Sequence, residues 1–146
     1  MTTETLASLK KSIDEWTPAI IALVNGFANQ HFDAITRTRD GKKQDGKKQF
    51  VDLVEAAAQA CCIDEFKLYI KYKGAKEGTR SLWGGLSNSF NVKIDELMKE
   101  VADKIEKAIG NLQAMDSEII KLEVLKRFCG YLMWRTHADI SAGGGQ

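Results

Sequence analysis

Between Lys67 and Arg80 the chain carries Lys67, Lys71, Lys73, Lys76 and Arg80 against a single acid, Glu77, with Tyr69, Tyr72 and, just beyond, Trp83 among them. Cations that neutralise phosphates, set beside aromatic faces on which bases stack, are the equipment of a sequence-tolerant single-strand binder. A second basic run, Arg37, Arg39, Lys42, Lys43, Lys47 and Lys48, stands against Asp40 and Asp45, so residues 36–48 hold six positive side chains and two negative ones, a local balance of 6 − 2 = +4. This run includes DGKKQDGKKQ, the same five residues written twice in residues 40–49. Its residues could form a phosphate-holding finger, but two Asp-Gly turns and a tandem repeat favour a surface loop lengthened by duplication.

Other chemistry is missing from the pattern. His31 and His137 fall on separate helical segments, and neither has a Cys, His or carboxylate at the i+3 or i+4 position that a helical metal site of the Glu-x-x-His kind requires. No Walker loop, no Gly-x-Gly-x-x-Gly after a strand and no nucleophile elbow occurs. Cys61, Cys62 and Cys129 lie on stripes rich in Ala, Leu and Phe, where a thiol acts as a small hydrophobe and its pKa rises. The expectation is a non-catalytic protein that needs no cofactor and no metal, and whose function lies in its surfaces.

The elements that must position those surfaces are helical. A single proline in 146 residues and apolar residues at three- and four-residue steps predict an all-α chain, a bundle of about four to six helices. Leu6, Leu9, Ile13 and Trp16 form one stripe; Thr17 suits an N-cap and Pro18 a first helical position, giving either two helices or one kinked one. Ile20, Val24, Phe27, His31 and Ile35 continue the pattern. Residues 37–49 contain no apolar side chain and predict a basic loop that folding does not need.

Phe50, Leu53, Val54, Ala57 and Cys61 then make a stripe that runs into Asp64 and Glu65. A bend is expected there, with Asp64 as the new N-cap and Ile63 stapled on Leu68. Residues 74–89 hold four glycines and predict a second, Gly-rich loop. Ile94, Leu97, Met98, Val101, Ile105, Ala108 and Ile109 share one face of the next helix, with Gly110 as its stop. The opposite face sets Asp95 before Lys99, Glu100 before Lys104 and Asp103 before Lys107, each acid four residues ahead of its base. The last helix, from Asp116 or Ser117, has two stripes, Leu122, Leu125, Cys129, Leu132 and Met133 on one and Ile120, Val124, Phe128 and Tyr131 on the other. It must pack against more than one neighbour or against another chain. Residues 139–146 read as a flexible tail.

Length and charge bound the rest. A chain of 146 residues fits one domain, 1–146, with a core of its own. With 21 basic and 20 acidic residues the net charge is +1, so any nucleic-acid footprint is local. Three cysteines, two of them adjacent, suit no disulfide framework, which points to a reducing, cytoplasmic setting; no apolar run suggests a membrane partner. A straight helix over residues 50–72 would hold the two basic segments ~33 Å apart.

The stretches IDEFKLYIKYKGAK (residues 63–76) and IIKLEVLKRFCGYLMWRTH (residues 119–137) resemble the small helical subunit of CRISPR RNA-guided effector complexes, the type III ones in particular. The resemblance implies a helical bundle without catalytic activity, stacked in a few copies beside other subunits of a ribonucleoprotein, with a basic surface toward the guide–target duplex or the target strand, RNA or single-stranded nucleic acid. Carried over position by position, it supports Lys67, Lys71, Lys73 and Lys76, with Lys126, Arg127 and Arg135 on the last helix; the DGKKQ repeat and Trp83 lie outside it. The rival expectation is a helical adaptor or homo-oligomer that uses Phe128, Tyr131, Trp134 and Trp83 as protein-contact residues, its lysines serving solubility alone.

Overall fold

The computed structural model describes residues 3–37, 45–77 and 82–144. The helices are α1 (Thr3–Asp14), α2 (Thr17–Gln30), α3 (Phe32–Thr36), α4 (Asp45–Gln59), α5 (Ile63–Glu77), α6 (Leu82–Leu97), a π turn (Met98–Ala102), α7 (Asp103–Ile109) and α8 (Ala114–Gly144). No strand occurs among the described residues, and the all-α expectation holds. There are more helices than the four to six expected because short joints divide the stripes: Pro18 lies in the first turn of α2 behind Trp16, and His31 separates α2 from α3.

Most residues of the predicted stripes form the core, whereas Cys61, Ala108 and Ile109 are exposed. Leu9, Ile13, Ile20, Val24, Phe27, Ile35, Phe50, Leu53, Ala57, Phe66, Ile70, Ile94, Leu97, Val101 and Ile105 are all buried in one apolar cluster. The last helix, α8, packs against every other described element. Its two stripes do so within the chain: Ile120, Val124, Leu125, Phe128, Cys129 and Leu132 are fully enclosed. Gly110, at φ 72°, ends α7 as its sequence position predicted, its N–H donating to the Glu106 carbonyl.

Four expectations are overturned. The second copy of the repeat, residues 45–49, is not loop but the first turn of α4. It is held there by packing: Gln49 is buried, and a β-carbon on Gly46 would stand 3.0 Å from Ile140 Cδ1 and 3.2 Å from the Ile35 carbonyl oxygen. His137 Nε2 also donates to the Lys47 carbonyl at 3.1 Å, so residues 45–49 are packed into the bundle rather than looped out of it. The first copy, within residues 38–44, lies outside the described residues.

The expected Gly-rich loop is mostly helix. Residues 74–77 finish α5 and residues 82–89 start α6, with 78–81 outside the described residues. Glycine is needed at 74 for a close crossing, since a β-carbon there would lie 2.3 Å from Ser87 Oγ, 2.7 Å from Ser87 Cβ and 3.0 Å from the Trp83 carbonyl. The tail is helical to Gly144, because Ile140 is buried on Gly46 and Asp139 pairs with Arg135 at 2.9 Å.

The fourth correction concerns the details of the break expected near Asp64: the break is there, at 60–62, but α5 already begins at Ile63, so Asp64 is not its N-cap. Leu68 is 67% exposed and staples nothing. The start of α5 is instead secured by Ile63 N–H, which donates to Glu118 Oε1 of α8 at 2.7 Å.

The α5–α6 crossing yields a stability prediction. Alanine at an exposed helical position gains about 1 kcal/mol over glycine, but Gly74→Ala drives its methyl into Ser87 and the Trp83 carbonyl, an overpacking cost of about 1–3 kcal/mol. Urea unfolding should show a lower midpoint for Gly74→Ala, and a higher or equal midpoint for Gly85→Ala, whose added β-carbon meets nothing within 4 Å.

Candidate nucleic-acid interface

Helix α5 is polarised along its length and across its width. Asp64 and Glu65 occupy its first turn and Lys76 its last, the arrangement that complements the helix dipole. Ile63, Phe66 and Ile70 are buried and Tyr69 is half-buried against the core. On the opposite side, at three- and four-residue steps, Leu68, Lys71, Tyr72, Ala75 and Lys76 are exposed. Tyr72 leaves 56% of its surface open, and Lys76 Nζ stands 5.8 Å from the centre of its ring. That face combines two cations with an accessible aromatic plane.

Not every lysine of the segment faces outward. Lys67 turns toward α6, where its amine pairs with Asp95 Oδ1 at 2.5 Å while its carbonyl accepts from Asn91 Nδ2 at 3.1 Å. Asp95 therefore meets Lys67 rather than Lys99, whereas the predicted Glu100–Lys104 pair forms at 2.9 Å and holds the Glu100 carboxyl below its ordinary pKa. Lys73 is half-buried on the Gly74 side of the helix. Arg80 lies outside the described residues.

The second basic run is divided in the same way. Arg37 is exposed, in extended backbone at the end of α3, Lys47 is half-buried and Lys48 is exposed on the first turn of α4. Arg39, Lys42 and Lys43 lie outside the described residues. The ~33 Å separation expected of a straight helix does not apply, because α4 and α5 are separate helices.

The arginines of α8 hold the bundle together. Arg127 pairs through Nη1 with Asp14 of α1 and through Nε with Glu123 at 3.4 Å. Arg135 binds Asp139 at 2.9 Å and reaches across to α2, donating to Asn25 Oδ1 at 3.0 Å and Asn29 Oδ1 at 2.6 Å. Both guanidinium groups are half-buried and engaged with partners on the same chain, while Lys126 remains exposed.

Two of the aromatic expectations are corrected by burial. Trp83 is 1% exposed, its ring 5.9 Å from Phe50 and 5.3 Å from Phe90, so it offers no face to a base or to another chain. Phe128 is fully enclosed 6.1 Å from Phe90. Tyr131 is half-buried and meets Trp134 edge-on at 5.6 Å, and Trp134 is 67% exposed. Of the four expected protein-contact residues, Trp134 alone is prominently displayed.

Sequence reasoning missed the outward Leu68, which it paired with Ile63. The signal was present in the helical phase, since Leu68 and Tyr72 each follow a buried residue, Phe66 and Ile70, by two positions, which turns them to the opposite side. It also missed a cleft of ≈ 300 Å³ lined by Gln30, Asn88, Ser89, Val92, Lys93 and Glu96. Near its Lys93 wall, the His31 ring meets Phe27 tilted at 50° with centroids 4.7 Å apart, and burial together with the Lys93 charge lowers its pKa. Cys129 fulfils the expectation of a buried, inert thiol, its pKa raised by burial, but Cys61 is exposed in the α4–α5 joint and Cys62 is half-buried.

His31 carries a pH prediction. A histidine whose folded pKa is depressed is equally neutral in both states above pH 6.5; below that, the unfolded chain takes up the proton first, and stability falls as pH drops. His31→Gln should flatten the decline in melting temperature below pH 6.5 relative to the parent chain, and parallel curves would show that His31 does not contribute. No family of known proteins, no curated protein and no solved structure matches the chain.

Proposed function

We propose that this chain is a non-catalytic helical subunit of a ribonucleoprotein that holds single-stranded nucleic acid along the outer face of α5. One observation carries the reading: Lys71, Tyr72 and Lys76 share an exposed helical face, with the tyrosine ring open to solvent and an amine beside it. Phosphates would meet the two amines and a base would stack on the free part of the ring. The resemblance of residues 63–76 to the small subunits of CRISPR effector complexes supports the same helix, and stacking beside other subunits and further copies follows from that resemblance as part of the proposal. The inward Arg127 and Arg135 take no part in this face.

The test is the salt dependence of binding to a short single-stranded RNA. Lys71→Ala with Lys76→Ala should lower the slope of log affinity against log salt by ~1.4 units, at about 0.7 for each phosphate no longer neutralised. Tyr72→Ala should weaken binding by about 1–3 kcal/mol and leave the slope where it was. If the double variant keeps its fold and its slope, the α5 face does not hold the strand.

The exposed Trp134 favours a second reading, a helical adaptor acting through protein contact. It predicts a scattering mass above that of one chain that returns to one chain's mass in Trp134→Ser. Phe128 is unsuited to such a test, because a polar group in its enclosed site would unfold the bundle.

A further inference from the structure

We propose that Cys61 and Cys62 form a thiol switch at the joint between α4 and α5, in which a peroxide-class oxidant closes a vicinal disulfide and uncaps α5. The joint is three residues long, Ala60, Cys61 and Cys62. Its hydrogen bonds are reciprocal: Glu65 N–H donates to Cys62 Sγ at 3.4 Å, and Glu65 Oε1 accepts from Cys61 N–H at 3.3 Å. Cys62 stands at the N-cap with a thiol where a capping box ordinarily has serine or threonine, and the Glu65 carboxylate reaches one residue farther back than in that motif, to the Cys61 N–H. Sulfur is the weaker acceptor. What cysteine adds at that position is redox chemistry.

Access and geometry favour a reversible change. Cys61 is exposed and Cys62 half-buried, whereas Cys129 is fully enclosed. Peroxide oxidises the Cys61 thiol to a sulfenic acid with release of one water. The Cys62 thiol then attacks that sulfur, the S–S bond forms and a second water leaves; the two electrons given up by the thiols reduce the peroxide O–O bond. Neighbouring α-carbons across a trans peptide are ~3.8 Å apart, below the ~4.4–6.8 Å span of unstrained disulfides. The bridge therefore requires the 61–62 backbone to turn, which draws Cys62 Sγ away from the Glu65 N–H. Strained disulfides are the more readily reduced and belong to the labile, regulatory class. Glu118 holds the Ile63 N–H from α8 throughout, so the change is confined to the first turn of α5.

The experiment treats the full chain with hydrogen peroxide and reads two signals, peptide mass spectrometry for the crosslink and amide hydrogen exchange at residues 61–66. The expected result is a dithiol-reversible bridge within the single peptide holding both cysteines, with exchange of the Glu65 amide about fivefold faster, the size of a missing cap. Cys61→Ser, which keeps the Cys62 cap but cannot bridge, should show no acceleration under oxidant. The proposal is overturned by any of three outcomes: no bridge within that peptide, a bridge with unchanged exchange, or accelerated exchange in oxidised Cys61→Ser.

Discussion

Helix α8 has to be covered on several sides at once, and the rest of the bundle is arranged to meet that demand. Ile120, Val124, Leu125, Phe128, Cys129, Leu132 and Ile140 point in directions too varied for a single neighbour. Each buried aliphatic or aromatic side chain contributes about 1.5–3 kcal/mol relative to exposure, so leaving either stripe bare would be costly for a single domain. The buried Thr136 is made tolerable by its own helix, its hydroxyl donating to the Leu132 carbonyl at 2.8 Å. The ends of α8 are tied as well, through Glu118 to the start of α5 and through Ile140 and His137 to the start of α4.

Around that helix the aromatic side chains converge on Phe90. Its ring lies 5.4 Å from Phe27, 5.3 Å from Trp83, 6.2 Å from Phe66 and 6.1 Å from Phe128, so α2, α5, α6 and α8 meet at one side chain. The two edge-on pairs, with Phe27 and Trp83, each add about 0.5–1.5 kcal/mol beyond their buried area. Phe66 can reach the cluster because Gly74 lets α5 and α6 approach closely farther along. The consequence for the surface is direct: with Phe66 and Ile70 turned inward, Leu68, Lys71 and Tyr72 are fixed outward. The proposed binding face is thus the back of a core-packing decision.

What could be read in the sequence followed periodicity. Ile20, Val24, Phe27 and Ile35, or Ile94, Leu97, Val101 and Ile105, announce their buried faces by spacing, and Gly110 announces a helix end by its type. What could not be read depended on partners distant in the chain. DGKKQ has loop composition, yet its second copy is helical because Ile140, far away in sequence, closes over Gly46. The glycines of residues 74–89 look like a loop until Gly74 is seen against Ser87. Trp83 looks like a stacking residue because it follows lysines, and only the fold shows Phe50 and Phe90 waiting for it. At the candidate site the lysines of α5 were legible as a cluster, but their division into inward Lys67 and outward Lys71 and Lys76 required Asp95 on another helix.

The inward-facing guanidinium groups of α8 lead to a division of labour between the two kinds of cation. Arg127 and Arg135 use planar, permanently charged forks to clasp α1 and α2, a task for which arginine geometry is suited. The outermost positive charges on α4, α5 and α8, Lys48, Lys71, Lys76 and Lys126, are primary amines. Amines can be acylated and so lose their charge, whereas guanidinium groups are chemically far less yielding. An acylating enzyme or reagent acting on this molecule would therefore neutralise the outer charges of α4, α5 and α8 while the Arg127 and Arg135 pairs stayed intact, which separates the chemistry of those surfaces from the chemistry of the helix contacts.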